Sequence, residues 1–382
     1  MRKALKATGI MMALVVLSGC WDRVEIEERG FVVGTAIDAT DSAAFVLTFQ
    51  FVLPSAAQSK SPQSGQSGKS FQNLSAEGTT LFKAARKMSN ESSRPPYMEH
   101  NKIIILSERL AREGRIEEVL DLFIRDHEMR RASKVMVSVG EAKQMLEVNP
   151  PIERLPVQYI NATSENPDKS ESIIPPTTIG HVQRYLLEEL SYAIPVVRKT
   201  DNKVSLSGAA VFNANNRLQG FLDHEQTTGR NFFTGTIRAG AIEVELEGRP
   251  VVFELKKASR KITANVADRE HPAFDVHVSA EGNVGESYAN RDILKPDALA
   301  ELEKKVGDKI AAIMESVLVK LQKEYRSDIL GFGNYLNENH YAVWKSIRDD
   351  WDRNRNLFSR CRVNIRADVK IRIVGAIGKS QL

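Results

Sequence analysis

The sequence predicts an α+β protein of several domains in which β-sheets are flanked by helices. Three observations carry that expectation. The chain has 382 residues, room for two or three domains at roughly 100–200 residues each. Its first part alternates short β-rich runs with helical periodicity. Its last part passes through several β segments into a long amphipathic helix and a strictly alternating terminal strand. Composition agrees with folded cores: 42% apolar and 27% charged residues with 2 Cys exclude a polytopic membrane protein, a collagen-like fibre, a fully disordered chain and a disulfide framework.

The N-terminus comes first. Arg2, Lys3 and Lys6 precede the apolar run Gly9–Leu17, which leads into Ser18, Gly19 and Cys20. A basic region, a short apolar stretch and small residues make an export signal. The run is about nine residues, too short for a roughly 30 Å hydrocarbon core. Leu17-Ser-Gly-Cys20 resembles the lipobox of bacterial lipoproteins, which implies cleavage before Cys20 and acylation of its thiol and of the new N-terminus. Residues 1–19 are therefore read as a signal peptide and Cys20 as a lipid attachment site, with an ordinary signal peptide and a chance cysteine as the alternative. Cleavage removes three basic residues and no acid, so 53 basic against 49 acidic groups becomes 50 against 49. The basic surplus belongs mostly to targeting. Cys361 is left as the other thiol and reads as a small packed residue.

In the exported part, Ile26–Asp38 forms a first strand region, with Gly30 and Gly34 marking a bend or bulge. Ala44–Leu53 is a second strand, ended by Pro54. Residues 55–70 are a low-complexity, Ser- and Gln-rich loop, because such a segment buries too little to order itself. From Ser75 the pattern turns helical through Leu81, Phe82, Ala85 and Met88. The run Ile103–Leu106 predicts a buried strand, followed by helices at about 108–112 and 115–126. Lys134–Val139 and Glu141–Glu147 give a further strand and helix. A helix over 179–191 ends before Pro195, and Arg198–Lys203 separates two patterned regions.

Strands are then expected at 204–213, 217–222, 241–247, 250–257, 260–267 and 273–281. Pro296 opens a helix of about 30 residues, with Leu299, Leu302, Val306, Ile310, Ile313, Val317, Leu321 and Tyr325 recurring every three or four positions. It either crosses a whole sheet or breaks at Gly307. Val363, Ile365, Ala367, Val369, Ile371 and Ile373 alternate with polar residues, the strongest strand signal in the chain. An antiparallel sheet covered on one face by the long helix accounts for both patterns.

Chemistry-bearing motifs are scarce. No G-x-G-x-x-G, Walker loop, H-E-x-x-H, C-x-x-C or G-x-S-x-G occurs, so no catalytic residue, cofactor site or metal site is assigned and an enzyme is disfavoured. Gly331-Phe-Gly333 reads as a turn. Asp121, Asp126, His127 and Glu128 are the nearest approach to a metal cluster and read first as a solvated face. Asp223-His224-Glu225 reads as a loop, His271-Pro272 as a strand entry and His100 as a structural histidine beside a buried strand. The last 32 residues hold eight basic groups and two acids. That reads first as a solvated sheet face, with contact to anionic lipid as the alternative. Nucleic acid is not expected, since export removes the usual targets and no aromatic platform accompanies the charges. Trp344, Trp351 and Phe358 are expected in a core or at a domain junction, with an exposed interface as the other reading.

Four blocks carry a family resemblance. The first is Cys20-Trp-Asp-Arg-Val-Glu-Ile-Glu-Glu-Arg-Gly30, running to Ala36-Ile-Asp38. The second begins at Ala76-Glu-Gly-Thr-Thr80, then takes in His100, Ser107-Glu108, Leu110–Gly114 and Phe123–Arg130. The third is Leu206-Ser-Gly-Ala-Ala-Val-Phe212 with Leu218-Gln-Gly220, and the fourth is Asp328–Gly333 with Trp344, Trp351 and the last strands. In this order they resemble the spore-germination Ger(x)C family, the lipoprotein C subunit of nutrient germinant receptors in endospore-forming bacteria. Two departures stand out: Asn339-His-Tyr-Ala342 where the family often has Pro, and the insert at 55–70.

The resemblance implies a lipid-anchored protein on the outer face of the spore inner membrane. It would assemble with membrane-embedded A and B subunits and help trigger germination. It also implies a three-domain mixed α/β architecture, here 20–195, a candidate middle domain at 196–245, and an α+β domain at 246–382. The family supplies no catalytic residues, so only Cys20 transfers as a functional position. A solute-binding lipoprotein feeding a membrane transporter is the main rival, and a membrane-anchored hydrolase a third choice.

Overall fold

The computed structural model describes residues 25, 28–42, 44–53, 70–126, 128–150, 152–166, 168–201 and 203–373. Cys20, the signal peptide and most of the low-complexity insert lie outside the described residues.

The chain opens with an antiparallel meander, β1 (Gly30–Ala39), β2 (Phe45–Val52) and β3 (Phe71–Gly78). The ladder between β1 and β2 slips between Val32 and Gly34, the bulge that the glycines predicted. A side chain at Gly34 would collide with Val157. Helix α1 (Leu81–Glu91) starts at Thr80, whose hydroxyl accepts the Lys83 N–H. The expected helical start at Ser75 was too early, because Phe71–Gly78 pairs along the whole of β2 instead.

The short β4 (Pro96–Tyr97) runs parallel to the start of β1. Then β5 (Ile103–Leu106), β6 (Lys134–Ser138) and β7 (Tyr192–Thr200) extend the sheet in parallel. Parallel neighbours require crossovers, and helices supply them. Between β5 and β6 these are α2 (Glu108–Glu113) and α3 (Ile116–Arg125). Between β6 and β7 they are α4 (Pro156–Ser164) and α5 (Ile179–Glu188), with a 3-10 turn at Lys143–Leu146 where a helix was expected. The strands β8 (Lys203–Ser205), β9 (Ala209–Phe212) and β10 (Leu218–Leu222) return antiparallel. The resulting 10-stranded sheet has the order β10-β9-β7-β6-β5-β1-β2-β3, with β4 beside β1 and β8 beside β7.

Both faces of this sheet are covered. Ile104, Leu106, Val135 and Val137 pack with Leu110, Val119, Phe123 and Val182 of the helices on one side. Ile103, Ile105 and Met136 pack with Met145, Val157 and Ile160 on the other.

Helix α6 (His224–Thr234) leads to a second, 4-stranded sheet of β11 (Gly240–Leu246), β12 (Arg249–Asn265), β13 (Ala273–Ser287) and β14 (Arg362–Ile373). The two strands expected at 250–257 and 260–267 are one continuous strand. The first three strands are antiparallel, but β14 lies parallel to β13. That corrects the expected all-antiparallel sheet. The connection from β13 to β14 is a helical crossover, which suits parallel pairing. It comprises α7 (Pro296–Lys320), a π-helical turn at Leu321–Tyr325, α8 (Phe332–Asn339) and α9 (Tyr341–Trp351).

Helix α7 passes through Gly307 without a break. A Cβ there would lie 2.6 Å from the Ala367 carbonyl oxygen, so glycine is what lets helix and strand approach this closely. Leu302, Val306, Ile310 and Val317 of α7 share a core with Phe253, Phe274, Val276, Val278 and Val369 of the sheet.

The segment 196–245 has no sheet of its own. Its strands β8, β9 and β10 join the first sheet and β11 opens the second, while α6 packs on α7: a Cβ at Gly229 would lie 2.7 Å from the Ile313 carbonyl oxygen. Two sheets therefore organise the described residues. The boundary read at Arg198–Lys203 is the tight turn between β7 and β8.

Candidate functional site

A groove of about 910 Å³ lies between α1 and α3. Each wall follows from helical periodicity. On α3, Ile116, Val119, Leu120 and Phe123 face the sheet, which turns Glu117, Glu118 and Asp121 outward. On α1, Leu81, Ala84 and Met88 face inward, leaving Phe82, Ala85 and Arg86 along the groove. Phe82 is 55% exposed. The buried lining residues, Phe45, Leu81 and Met98, are all apolar.

The lip is acidic. It carries Glu117, Glu118, Asp121, Asp126 and Glu128, with Arg86 and Arg125 as its basic groups. Asp121 pairs with Arg125 at 2.7 Å and Glu118 with Arg115 at 2.9 Å. Glu117 accepts the Asn216 amide at 2.7 Å, and Glu128 accepts the Met98 N–H at 3.4 Å. The Arg86 guanidinium lies 5.0 Å above the Phe82 ring. Asp121, Asp126 and Glu128, singled out from the sequence, thus belong to one lip, while His127 lies outside the described residues. Among the described residues no group of three His, Cys, Asp or Glu side chains is placed to hold a metal ion.

The remaining candidates are held by structural contacts. Asp223 caps α6: its side chain accepts the Gln226 N–H at 2.9 Å, and Gln226 accepts the Asp223 N–H in return. The segment expected as a loop is therefore a helix start. His224 meets Glu171 at 2.9 Å and His271 meets Asp268 at 3.1 Å. His100 is exposed and sits edge-on to Phe31, with ring centroids 5.3 Å apart. The Cys361 thiol is buried and pushed up to about 12 by desolvation, which removes it as a nucleophile.

A buried polar centre, not foreseen from the sequence, lies beneath the Gly331–Gly333 turn. Asp328 accepts N–H bonds from Leu330, Gly331 and Gly333 at 3.1, 3.1 and 2.7 Å, and the Trp351 indole N–H at 2.8 Å. The turn is folded onto a carboxylate, not shaped for a phosphate. Burial raises the Asp328 pKa from its ordinary value, against those hydrogen bonds. Nearby, Asp352 accepts the Ser191 N–H at 3.1 Å, which links the end of α9 to the entry of β7. Burial pushes Asp352 up to about 6, with the charge of Asp328 adding in the same direction. Trp344, Trp351 and Phe358 are all buried here, with successive ring centroids 6.1 and 6.2 Å apart.

Four of the seven described basic groups of the C-terminal stretch are paired. Arg353 meets Glu189, Arg355 meets Glu270 and Asp350, Lys370 meets Glu303, and Arg372 meets Glu281 at 2.7–3.0 Å. On β14 these groups lie on the solvent side, as the alternation required.

Comparison with known proteins covers nearly the whole chain. Residues 22–199 match the family model for the spore germination protein N-terminal domain, and residues 207–375 that for the spore germination B3/GerAC-like C-terminal region. Spore germination protein B3 of Bacillus subtilis (strain 168) is 30% identical over 387 residues, covering 99% of this chain and 100% of the relative. Spore germination protein A3 of the same strain is 28% identical, covering 97% and 98%. The crystal structure of the GerBC protein is similar with a TM-score of 0.63 at 27% identity, covering 92% of this chain and 100% of that one.

Proposed function

Because the chain belongs to the Ger(x)C family of spore germination proteins, we propose that it is a non-catalytic, lipid-anchored subunit of a nutrient germinant receptor. Acylated Cys20 would hold it on the outer face of the spore inner membrane, beside membrane-embedded A and B subunits, where it helps to trigger germination. The observation that carries this reading is the family match over residues 22–199 and 207–375, which begins two residues after Cys20 of Leu17-Ser-Gly-Cys20. Among the described residues no helix is long and apolar enough to cross a membrane, so attachment through the N-terminal lipid suits the chain. Confinement to the membrane raises the effective concentration of partners, which lets modest interfaces suffice.

A free-standing solute-binding lipoprotein would close two similar lobes on one polar cleft. The two sheets differ in size and topology, and the groove has an apolar floor. The test of anchoring is Cys20→Ala in spores. The expected result is loss of the protein from the membrane fraction together with slowed nutrient-triggered germination. Normal germination from an equally populated membrane complex would overturn the anchoring.

A further inference from the structure

We propose that the groove between α1 and α3 is the seat of an amphipathic helix of a partner protein, one with Lys or Arg bordering its apolar stripe. This goes beyond the receptor assignment and does not depend on Cys20. Three features of the groove select that occupant.

The floor is apolar and the polar groups stand on the lips. A site for a small polar nutrient would bring polar groups together at its base. Here the buried lining residues are Phe45, Leu81 and Met98, and every carboxylate of the lining is at least partly exposed. Such a cleft rewards an apolar surface pressed into it.

The lip is strongly one-signed. Five carboxylates face Arg86 and Arg125, and of these Glu117, Asp126 and Glu128 have no ion pair among the described residues. A basic border on the occupant complements them, whereas an acidic border, or an anionic membrane surface, meets like charge. On β14, by contrast, Lys370 and Arg372 are already paired with Glu303 and Glu281.

The walls are themselves helix faces. Phe82 and Arg86 are four residues apart on α1, as are Glu118 and Leu122 on α3. Such rows form the ridges against which a third helix packs, at interaxial distances of roughly 8–10 Å. Phe82 is then the anchor, an aromatic side chain otherwise left in solvent.

The experiment uses the full-length protein in detergent and a fluorescent probe peptide of about 18 residues, five helical turns. One version carries a Leu stripe bordered by Lys, the other the same stripe bordered by Glu. The Lys-bordered peptide should bind at least about tenfold tighter and lose affinity with added salt. Phe82→Ser should weaken it by about tenfold, and Glu117→Lys with Asp121→Lys should reverse the preference between the two peptides. These side chains are exposed, so unchanged melting temperatures confirm that the variants fold. Equal binding of the two peptides, or binding indifferent to the variants, overturns the proposal. Displacement of the probe by free amino acids or sugars, or by phosphatidylglycerol vesicles, would assign the groove to a nutrient or to lipid and overturn it too. Self-association abolished by Phe82→Ser would do the same in favour of a second copy. None of these results depends on how the protein is held to a membrane.

Discussion

The two sheets solve the same burial problem in different ways. The first is packed on both faces, and its central strands are continuous apolar runs: all of Ile103–Leu106 and Ala209–Phe212 is buried. The second is packed on one face only. Along β13, Phe274, Val276, Val278 and Ala280 point to α7, while Asp275, His277 and Ser279 are exposed. A doubly covered sheet leaves every strand position sensitive to polarity, and a singly covered one only every second position. The first sheet is therefore brittle to substitution, and the outer face of the second is free to carry charge.

The largest expected effect tests the brittle side. Ile104→Asp puts a carboxylate between β1 and β6 beneath α3, with no water and no partner. Loss of folding is expected, a cost beyond about 4–5 kcal/mol. A cooperative melt near the wild-type temperature would break the contrast.

A smaller effect is expected where the two units meet, at Asp352. Burial pushes its carboxyl up to about 6 in the folded protein, from the ordinary aspartate value near 3.8. Between those values the native state holds a proton that the unfolded chain has released. The contribution to stability is therefore full below about pH 4 and is lost as pH rises through about 6, by up to about 3 kcal/mol. Asp352→Asn keeps an acceptor for the Ser191 N–H and removes the titration. The variant should be about 1–3 kcal/mol more stable than wild type at pH 7 and equal to it near pH 4. Denaturant titrations of both proteins across that range measure the difference, which reports Asp352 together with its coupling to Asp328. A constant difference with pH would remove Asp352 as its source.

The smallest effect belongs to the outer face of β14. Arg366→Ala should change stability by no more than about 0.5 kcal/mol in chemical denaturation. A larger loss would show that this face is packed in the folded protein.

The same contrast explains what was legible beforehand. The alternating strand β14 and the long helix α7 stood out because one polar and one apolar face give each a period. β7 did not stand out. Its Tyr192–Val197 run is buried throughout and so has no period, and it holds Pro195, a residue that central strands disfavour. The structure accommodates Pro195 because the ladder with β6 begins only at Val196. The helices α8 and α9 were missed as well, their cores being few bulky residues: Phe332, Leu336, Trp344, Ile347 and Trp351. For the groove, the acidic back of α3 was visible as one face. Its meeting with Phe45 and Phe82 was not, because three separate segments come together only through the stacking of β2, α1 and α3. The carboxylates of Asp328 and Asp352 gave no local sign of burial.

The position of β1 has a mechanical consequence. Gly30 stands ten positions after Cys20, and the strand it opens lies inside the sheet, between β2 on one side and β4 and β5 on the other. Under the proposed acylation, tension between membrane and protein would enter at the Gly30 end of β1, and in the shear direction it would run along the strand. The hydrogen bonds to both neighbours lie across that pull and resist it together as a set. A tether on an edge strand peeled sideways would meet them one at a time. A protein so acylated would be moored through an interior strand of its first sheet, and a tug on the lipid would be spread over strands on both sides of the mooring.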